Sequence, residues 1–193
     1  MTHDLLDLYS RASEWTLQKV KGAASGLDSD TPCERWNVRE LMNHMLETQR
    51  YFVGSARGQS VSPPGQTPAA TLLGDDPVQD FKKAREETMS TYGDKDVLEK
   101  SGTTLGIAFA DQLLHGWDLA KATGQDTTMP PGLAEAAFQM INGKLTADQR
   151  KASFKPEVEV AAETGEVTVG ADHPVTGHHD RERVLAVGGT DGA

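Results

Sequence analysis

One stretch, Asp111-Gln112-Leu113-Leu114-His115-Gly116-Trp117-Asp118-Leu119, decides how this chain is organised. On a helix Asp111 and His115 are four residues apart and Asp118 lies three beyond, so the three side chains share one face. The large apolar residues between them predict that the helix is buried, and a buried imidazole or carboxylate needs a partner. The stretch therefore predicts a core helix that carries a candidate site.

The composition is that of an acidic chain of 193 residues, long enough for one sizeable core and a small appendage. There are 29 acidic and 19 basic residues, a net charge of −10 with histidine neutral. This balance argues against binding to duplex nucleic acid or to an anionic membrane surface. No apolar run approaches the roughly 20 residues of a membrane span, and the N-terminus lacks the features of a signal peptide. We expect a cytoplasmic protein.

Cys33 is the only cysteine, so an intramolecular disulfide and a cysteine cluster for structural zinc are excluded. Any metal must be held by histidines and carboxylates. Cys33 itself is predicted to be a small buried residue, with a reactive nucleophile as the alternative. The histidines near the C-terminus resemble a metal-binding tract but are predicted to belong to a flexible polar tail; they are His173, His178 and His179.

Helix signals recur along the first two thirds of the chain. Apolar residues at spacings of three and four predict a first helix from about Thr2 into the low twenties. Asn37 and Glu40 form a capping-box pattern, with Trp36 and Leu41 as a hydrophobic staple, and predict a second helix from Val38 to about Ser55. Residues 54–77 are rich in Gly, Ser and Pro and predict a lid, a binding segment or a disordered stretch.

Later signals predict three more helices. Asp76-Pro77 begins a third that ends near Gly93. Thr103 or Thr104 is expected to cap a fourth, which Gly124 ends. Pro131 opens a shorter fifth, which extends to Gly143. These helices predict a mainly α protein with a four-helix bundle over residues 1–153.

Residues 154–193 are predicted to form a small α/β extension. Alternating residues at 157–160 and 166–169 predict a hairpin with a turn at Thr164-Gly165, and residues 183–187 a third strand or a short helix. The last six residues, 188–193, are expected to be a frayed tail.

The second helix supplies the third candidate ligand. His44 lies among apolar residues, and with Asp111 and His115 it would give two imidazoles, one carboxylate and an open fourth position, as catalytic zinc sites have. The alternatives are a core histidine at position 44 and a hydrogen bond from His115 to Asp111 on a solvated face. Asp118 could orient His115 or carry a proton; a helix cap or a solvated side chain is its alternative.

Two motifs carry a resemblance to a known family. Residues 31–44, T-P-C-E-R-W-N-V-R-E-L-M-N-H, and residues 115–124, H-G-W-D-L-A-K-A-T-G, resemble the mycothiol-dependent maleylpyruvate isomerase family, a branch of the DinB-like metalloenzymes. The resemblance covers roughly residues 1–160. It implies a DinB-like four-helix bundle with a divalent metal, most often zinc, on His44, Asp111 and His115, and mycothiol as thiol cofactor or co-substrate.

The chain departs from the family pattern in two places. The best-known relative has Glu where Asp111 stands, although the branch that this chain most resembles commonly has Asp. Residues 163–179 look like an insertion, and Gly188-Gly189-Thr190 replaces a usual Gly-Arg ending.

The sequence predicts an enzyme in which a metal-bound thiolate attacks a small electrophilic substrate, as a mycothiol-dependent isomerase or S-transferase does. The expected partners are a small-molecule substrate and a low-molecular-weight thiol. Two alternatives stay open: a metal-dependent hydrolase that uses bound hydroxide, and a non-catalytic DinB-like metal-binding stress protein.

Overall fold

The computed structural model describes residues 4–33, 36–65 and 67–141, together with the backbone of two short strands. The elements are α1 (Leu5–Ala23), α2 (Val38–Ala56), α3 (Pro77–Tyr92), α4 (Lys95–Ala122), α5 (Leu133–Ile141), β1 (Glu166–Thr168) and β2 (Val184–Ala186). None of the described helices combines the length and apolarity that crossing a membrane requires.

The first four helices close into a bundle. Helix α1 packs against α3 and α4, and α2 packs against the same two helices, so the order around the bundle is α1, α3, α2, α4. Helix α5 packs on the outside against α4. The predicted mainly α, DinB-like four-helix bundle is confirmed, and α2 and α4, which carry the candidate ligands, are neighbours in it.

Helices α2 and α3 begin at the side-chain caps that the sequence predicted. The Asn37 side chain accepts from Glu40 N, and the Glu40 carboxylate accepts from Asn37 N, so the capping box is complete. Asp76 accepts from Gln79 N at the start of α3. Each cap satisfies amide groups that have no partner inside their helix.

The predicted start of the fourth helix was wrong. Helix α4 begins at Lys95, where the Asp94 side chain accepts from the amides of the first turn, and not at Thr103 or Thr104. Ser101 has non-helical angles, φ −125° and ψ 15°, so the helix is kinked just before the expected start. The predicted end is confirmed, because Gly124 has φ +67° and Gln125 N donates to Ala120 O.

The short elements near the C-terminus agree with the prediction in part. Helix α5 starts after Pro131 and Gly132; its expected end at Gly143 lies outside the described residues. Strand β1 lies within the predicted strand 166–169, and it pairs antiparallel with β2, Val167 opposite Leu185. The other predicted strand, 157–160, the turn before β1 and the tail from 188 lie outside the described residues, as do the three C-terminal histidines.

Two apolar clusters fill the bundle, and α4 contributes to both. Trp117 belongs to the cluster with α1 and α5, whereas Leu119 belongs to the cluster with α2. Between them α4 approaches α1 closely: the Thr16 hydroxyl donates to Gln112 O at 2.7 Å, and a Cβ on Gly116 would lie 2.7 Å from Thr16 Oγ1. Glycine at position 116 therefore permits the close contact between α1 and α4 beside His115.

Candidate metal centre

His44 lies in the middle of α2 and faces α4. Its half-buried ring lies against the Trp36 ring, with the centroids 4.4 Å apart, and is perpendicular to the His115 ring at 5.2 Å. The Thr48 hydroxyl lies 3.5 Å from His44 Nε2 and donates to His44 O at 2.9 Å. The imidazole is therefore packed on one side and directed toward His115 on the other.

Asp111 and His115 meet across one turn of α4, as their spacing predicted. His115 Nε2 lies 3.4 Å from Asp111 Oδ1, and their side chains are 11% and 18% exposed. A ligand atom of His44 on α2 lies within 4.8 Å of ligand atoms of Asp111 and His115 on α4. The structure thus brings the three sequence-predicted ligands together.

Asp118 contacts the other nitrogen of the same ring. Its Oδ2 lies 3.1 Å from His115 Nδ1, and its side chain is fully buried, so the surface alternative for this residue was wrong. The two ring nitrogens of His115 thus face different carboxylates, Nδ1 that of Asp118 and Nε2 that of Asp111.

Cys33 approaches the same carboxylate from the turn before α2. It is buried, as predicted, and its Sγ–H donates to Asp118 Oδ2 at 3.5 Å. The turn is closed by Thr31, whose hydroxyl accepts from Cys33 N at 3.1 Å and donates to Trp36 O at 2.6 Å. The segment before α2 thus carries both the cysteine beside Asp118 and the tryptophan beside His44. Neither contact was predicted from the sequence, although both residues lie in the motif at 31–44.

Two overlapping sets of side chains within the described residues could hold an ion. His44, Asp111 and His115 have ligand atoms within 4.8 Å of one another, and so do Cys33, His115 and Asp118. In the first set His44 and Asp111 are half-buried and His115 is buried, whereas the second set is buried throughout. Because a catalytic metal keeps a position open for substrate, the first set has the accessibility that catalysis needs, and its two imidazoles and carboxylate suit zinc.

The charge around His115 favours its protonated form when no ion is present. Burial lowers the pKa of His115. The negative charge of Asp111 and hydrogen bonds with Asp111, Asp118 and Cys33 raise it by more than burial lowers it, so the pKa lies well above the ordinary 6.5. The site is thus electrostatically suited to a cation, and a metal ion held by Nε2 would take the place of the proton there.

A separate cavity of about 240 Å³ lies between α2 and α3. Successive residues of a helix are rotated by about 100°, so the α2 residues that line this cavity lie on the side of the helix opposite His44. It is distinct from the candidate metal centre. Its lining consists of Leu46, Gln49, Arg50, Val53, Leu72, Asp80, Lys83, Ala84 and Glu87.

Comparison with known families agrees with this geometry. A model described as the mycothiol maleylpyruvate isomerase N-terminal domain matches residues 6–141, which include α1 to α5 almost completely and every candidate ligand. The chain belongs to this family. The family resemblance that residues 31–44 and 115–124 predicted is confirmed.

Two curated relatives in this comparison are uncharacterized proteins from two strains of Mycobacterium tuberculosis. Each is 31% identical to the chain over 118 residues, which is 58% of this chain and 62% of the relative. The chain thus spans about three fifths of the length of the curated relatives it matches. No solved structure matches.

Proposed function

We propose that the chain is a metal-dependent, thiol-using enzyme, a mycothiol-dependent isomerase or S-transferase that acts on a small electrophilic substrate. His44, Asp111 and His115 would hold one divalent ion, most suitably zinc. The observation that carries the proposal is the convergence of two imidazoles and a carboxylate, with ligand atoms within 4.8 Å, on a half-buried face. Family membership supports the thiol, because the family is named for mycothiol.

A divalent ion in this site would deprotonate a coordinated thiol, so that its sulfur is nucleophilic at neutral pH. The chain's own residues set the geometry for that chemistry. Asp118 holds His115 with Nε2 toward the site, and Trp36 packs against one side of His44. Both imidazoles are therefore oriented before a ligand arrives, which lowers the cost of ordering them on binding.

An apolar surface borders the candidate site on α4. Ile107 and Leu114 lie one turn before and one turn after Asp111, on the same face of the helix. Ile107 is 52% exposed, although large aliphatic side chains are usually buried, and Leu114 is half-buried. We propose that this surface takes the carbon skeleton of the substrate, while the polar groups of the site face its reactive end.

The test of the metal site is a zinc titration of chelator-treated protein. The wild type is expected to bind one zinc ion per chain. His44→Ala and Asp111→Asn are each expected to weaken binding about a hundredfold or more, since a loss of ten- to hundredfold is typical for residues that only orient ligands. Glu99→Gln, an exposed carboxylate on the same helix, is the control. A wild type that binds no zinc, or ligand variants that bind it as tightly as the control, would contradict the proposal.

The test of the thiol is a mycothiol titration of cobalt-loaded protein, because cobalt reports sulfur coordination in its absorption spectrum. We expect an intense thiolate-to-cobalt band at one mycothiol per chain, and its loss in Asp111→Asn. An unchanged spectrum with turnover of an ester or amide would support the hydrolase alternative. An unchanged spectrum without turnover would support the non-catalytic alternative.

A further inference from the structure

The turn between α1 and α2 touches both histidines of the candidate centre through different side chains. Trp36 lies against His44 directly. Cys33 donates to the buried carboxylate of Asp118, which contacts His115, and the thiol also lies close to the His115 ring itself. Trp36 N also donates to Cys33 O at 2.8 Å, so the two side chains belong to one hydrogen-bonded turn. Hydrogen bonds of the Cys33 backbone therefore fix the position of this residue independently of its side-chain contact with α4.

The contact of Cys33 is specific in its atoms. Sγ and His115 Nδ1 approach the same oxygen, Asp118 Oδ2, at 3.5 and 3.1 Å. Rotating the carboxylate away from Cys33 would therefore also move the acceptor away from the imidazole. A thiol is a weak donor, yet inside a buried site each hydrogen bond is less screened than in water.

We propose that Cys33 is a positioning residue for the metal site: its thiol fixes the rotamer of Asp118, and Asp118 in turn directs His115 Nε2 toward Asp111 and the ion. The inference rests on the proposed function, since it assigns Cys33 to the support of that site. Cys33 acts here as a donor to Asp118 and not as a ligand or nucleophile.

Two substitutions separate this role from packing. Cys33→Val fills a similar volume but removes the donor, whereas Cys33→Ser is smaller and keeps one. If Cys33 positions Asp118, Val is expected to weaken zinc binding about tenfold, the lower end for residues that orient ligands, and Ser to stay within about twofold of the wild type. If Cys33 only packs, Ser is the more disturbed variant and Val resembles the wild type, which would overturn the inference.

A double-mutant cycle adds a second readout. In an Asp118→Asn background, Cys33→Val should change zinc affinity by less than about twofold, because its effect passes through the carboxylate that has already been altered. A full tenfold effect in both backgrounds would show that the cysteine acts by another route and would contradict the inference.

A measurement without metal keeps this inference separate from the metal site itself. In zinc-free protein the His115 Nδ1 proton should be slow to exchange and visible by nitrogen-resolved NMR, retained in Cys33→Ser and lost or shifted in Cys33→Val. If the wild type binds no zinc but shows this pattern, the positioning role stands and the proposed function fails. If zinc binds normally and the proton is identical in all three proteins, the positioning role fails alone.

Discussion

Asp118 is a buried carboxylate within α4, and its neighbours explain how the fold accommodates it. Burying a charge is costly unless the charge is hydrogen-bonded, and both His115 Nδ1 and Cys33 Sγ approach its Oδ2. The same contact puts His115 Nδ1 against Asp118, while Nε2 faces Asp111. We propose that the carboxylate in this way connects the packing of the core with the geometry of the site.

Asp118→Asn is expected to weaken zinc binding about ten- to hundredfold, because an amide accepts a weaker hydrogen bond and can turn its own N–H toward Nδ1. Competition with a chromophoric chelator measures the change. Glu99→Gln should leave the affinity unchanged. An affinity equal to that of the wild type in Asp118→Asn would show that the carboxylate does not support the site.

Tyr92 provides a prediction about alkaline pH. Burial raises the pKa of Tyr92 to about 12 from 10, and its hydroxyl donates to Phe52 O at 3.2 Å. The folded state thus holds the phenolic proton more tightly than the unfolded state, so this contribution to stability is complete below pH 10 and is lost as pH rises toward 12. Between about pH 8 and about pH 11 the free energy of unfolding of the wild type should fall by on the order of 1 kcal/mol more than that of Tyr92→Phe. Urea unfolding at both pH values tests this, and equal losses would contradict it.

The three ligand candidates were predictable because each signal was local. A separation of four residues puts Asp111 and His115 on one face of any helix, and His44 was conspicuous as an ionisable residue in an apolar segment. The contacts of Cys33 and Trp36 were not predictable, because they depend on the path of a turn that joins two helices. Residue spacing carries no information about which distant side chain such a turn meets.

Helix α4 shows where local signals mislead at the scale of an element. Asn37 and Asp76 marked the starts of α2 and α3 because each cap bonds to amides within three residues. The threonines at 103 and 104 gave a similar signal inside a longer helix, which continues through a kink at Ser101. Packing of the bundle outweighs a local preference of this size.

Gly116→Ala tests the close approach of α1 and α4. A Cβ at this position would lie 2.7 Å from both Thr16 Oγ1 and a Trp15 ring carbon, so the helices must separate. We expect a loss of about 1 to 3 kcal/mol in the free energy of unfolding, measured by chemical denaturation. The matched control is Gly102→Ala on the same helix, where the nearest such contact is 3.9 Å and alanine should be neutral or stabilising. Equal effects of the two substitutions would contradict the packing argument.

At the scale of the whole molecule, the candidate site and both apolar clusters lie within residues 4–141, and the family match covers residues 6–141. The division into a bundle over 1–153 and an extension over 154–193 stays a prediction. Strands β1 and β2 lie within the segments predicted at 166–169 and 183–187, but their pairing with each other was not predicted, because alternation alone does not select a partner.

A chain that ends at residue 153 tests this division. Since the candidate ligands and the packed helices precede that point, the shortened chain is expected to unfold cooperatively on heating and to bind one zinc ion with an affinity within about threefold of the full chain. Circular dichroism and the zinc titration measure both properties. A shortened chain that is unfolded, or that has lost zinc binding, would show that the extension is part of the bundle's stability or of the site.

Zinc-edge X-ray absorption of the zinc-loaded full chain tests whether one ion is held by His44, Asp111 and His115. We expect a shell of nitrogen and oxygen at about 2.0 to 2.2 Å with imidazole scattering and no sulfur. A sulfur at about 2.3 Å, as the competing set of Cys33, His115 and Asp118 would give, or the absence of bound zinc, would contradict it.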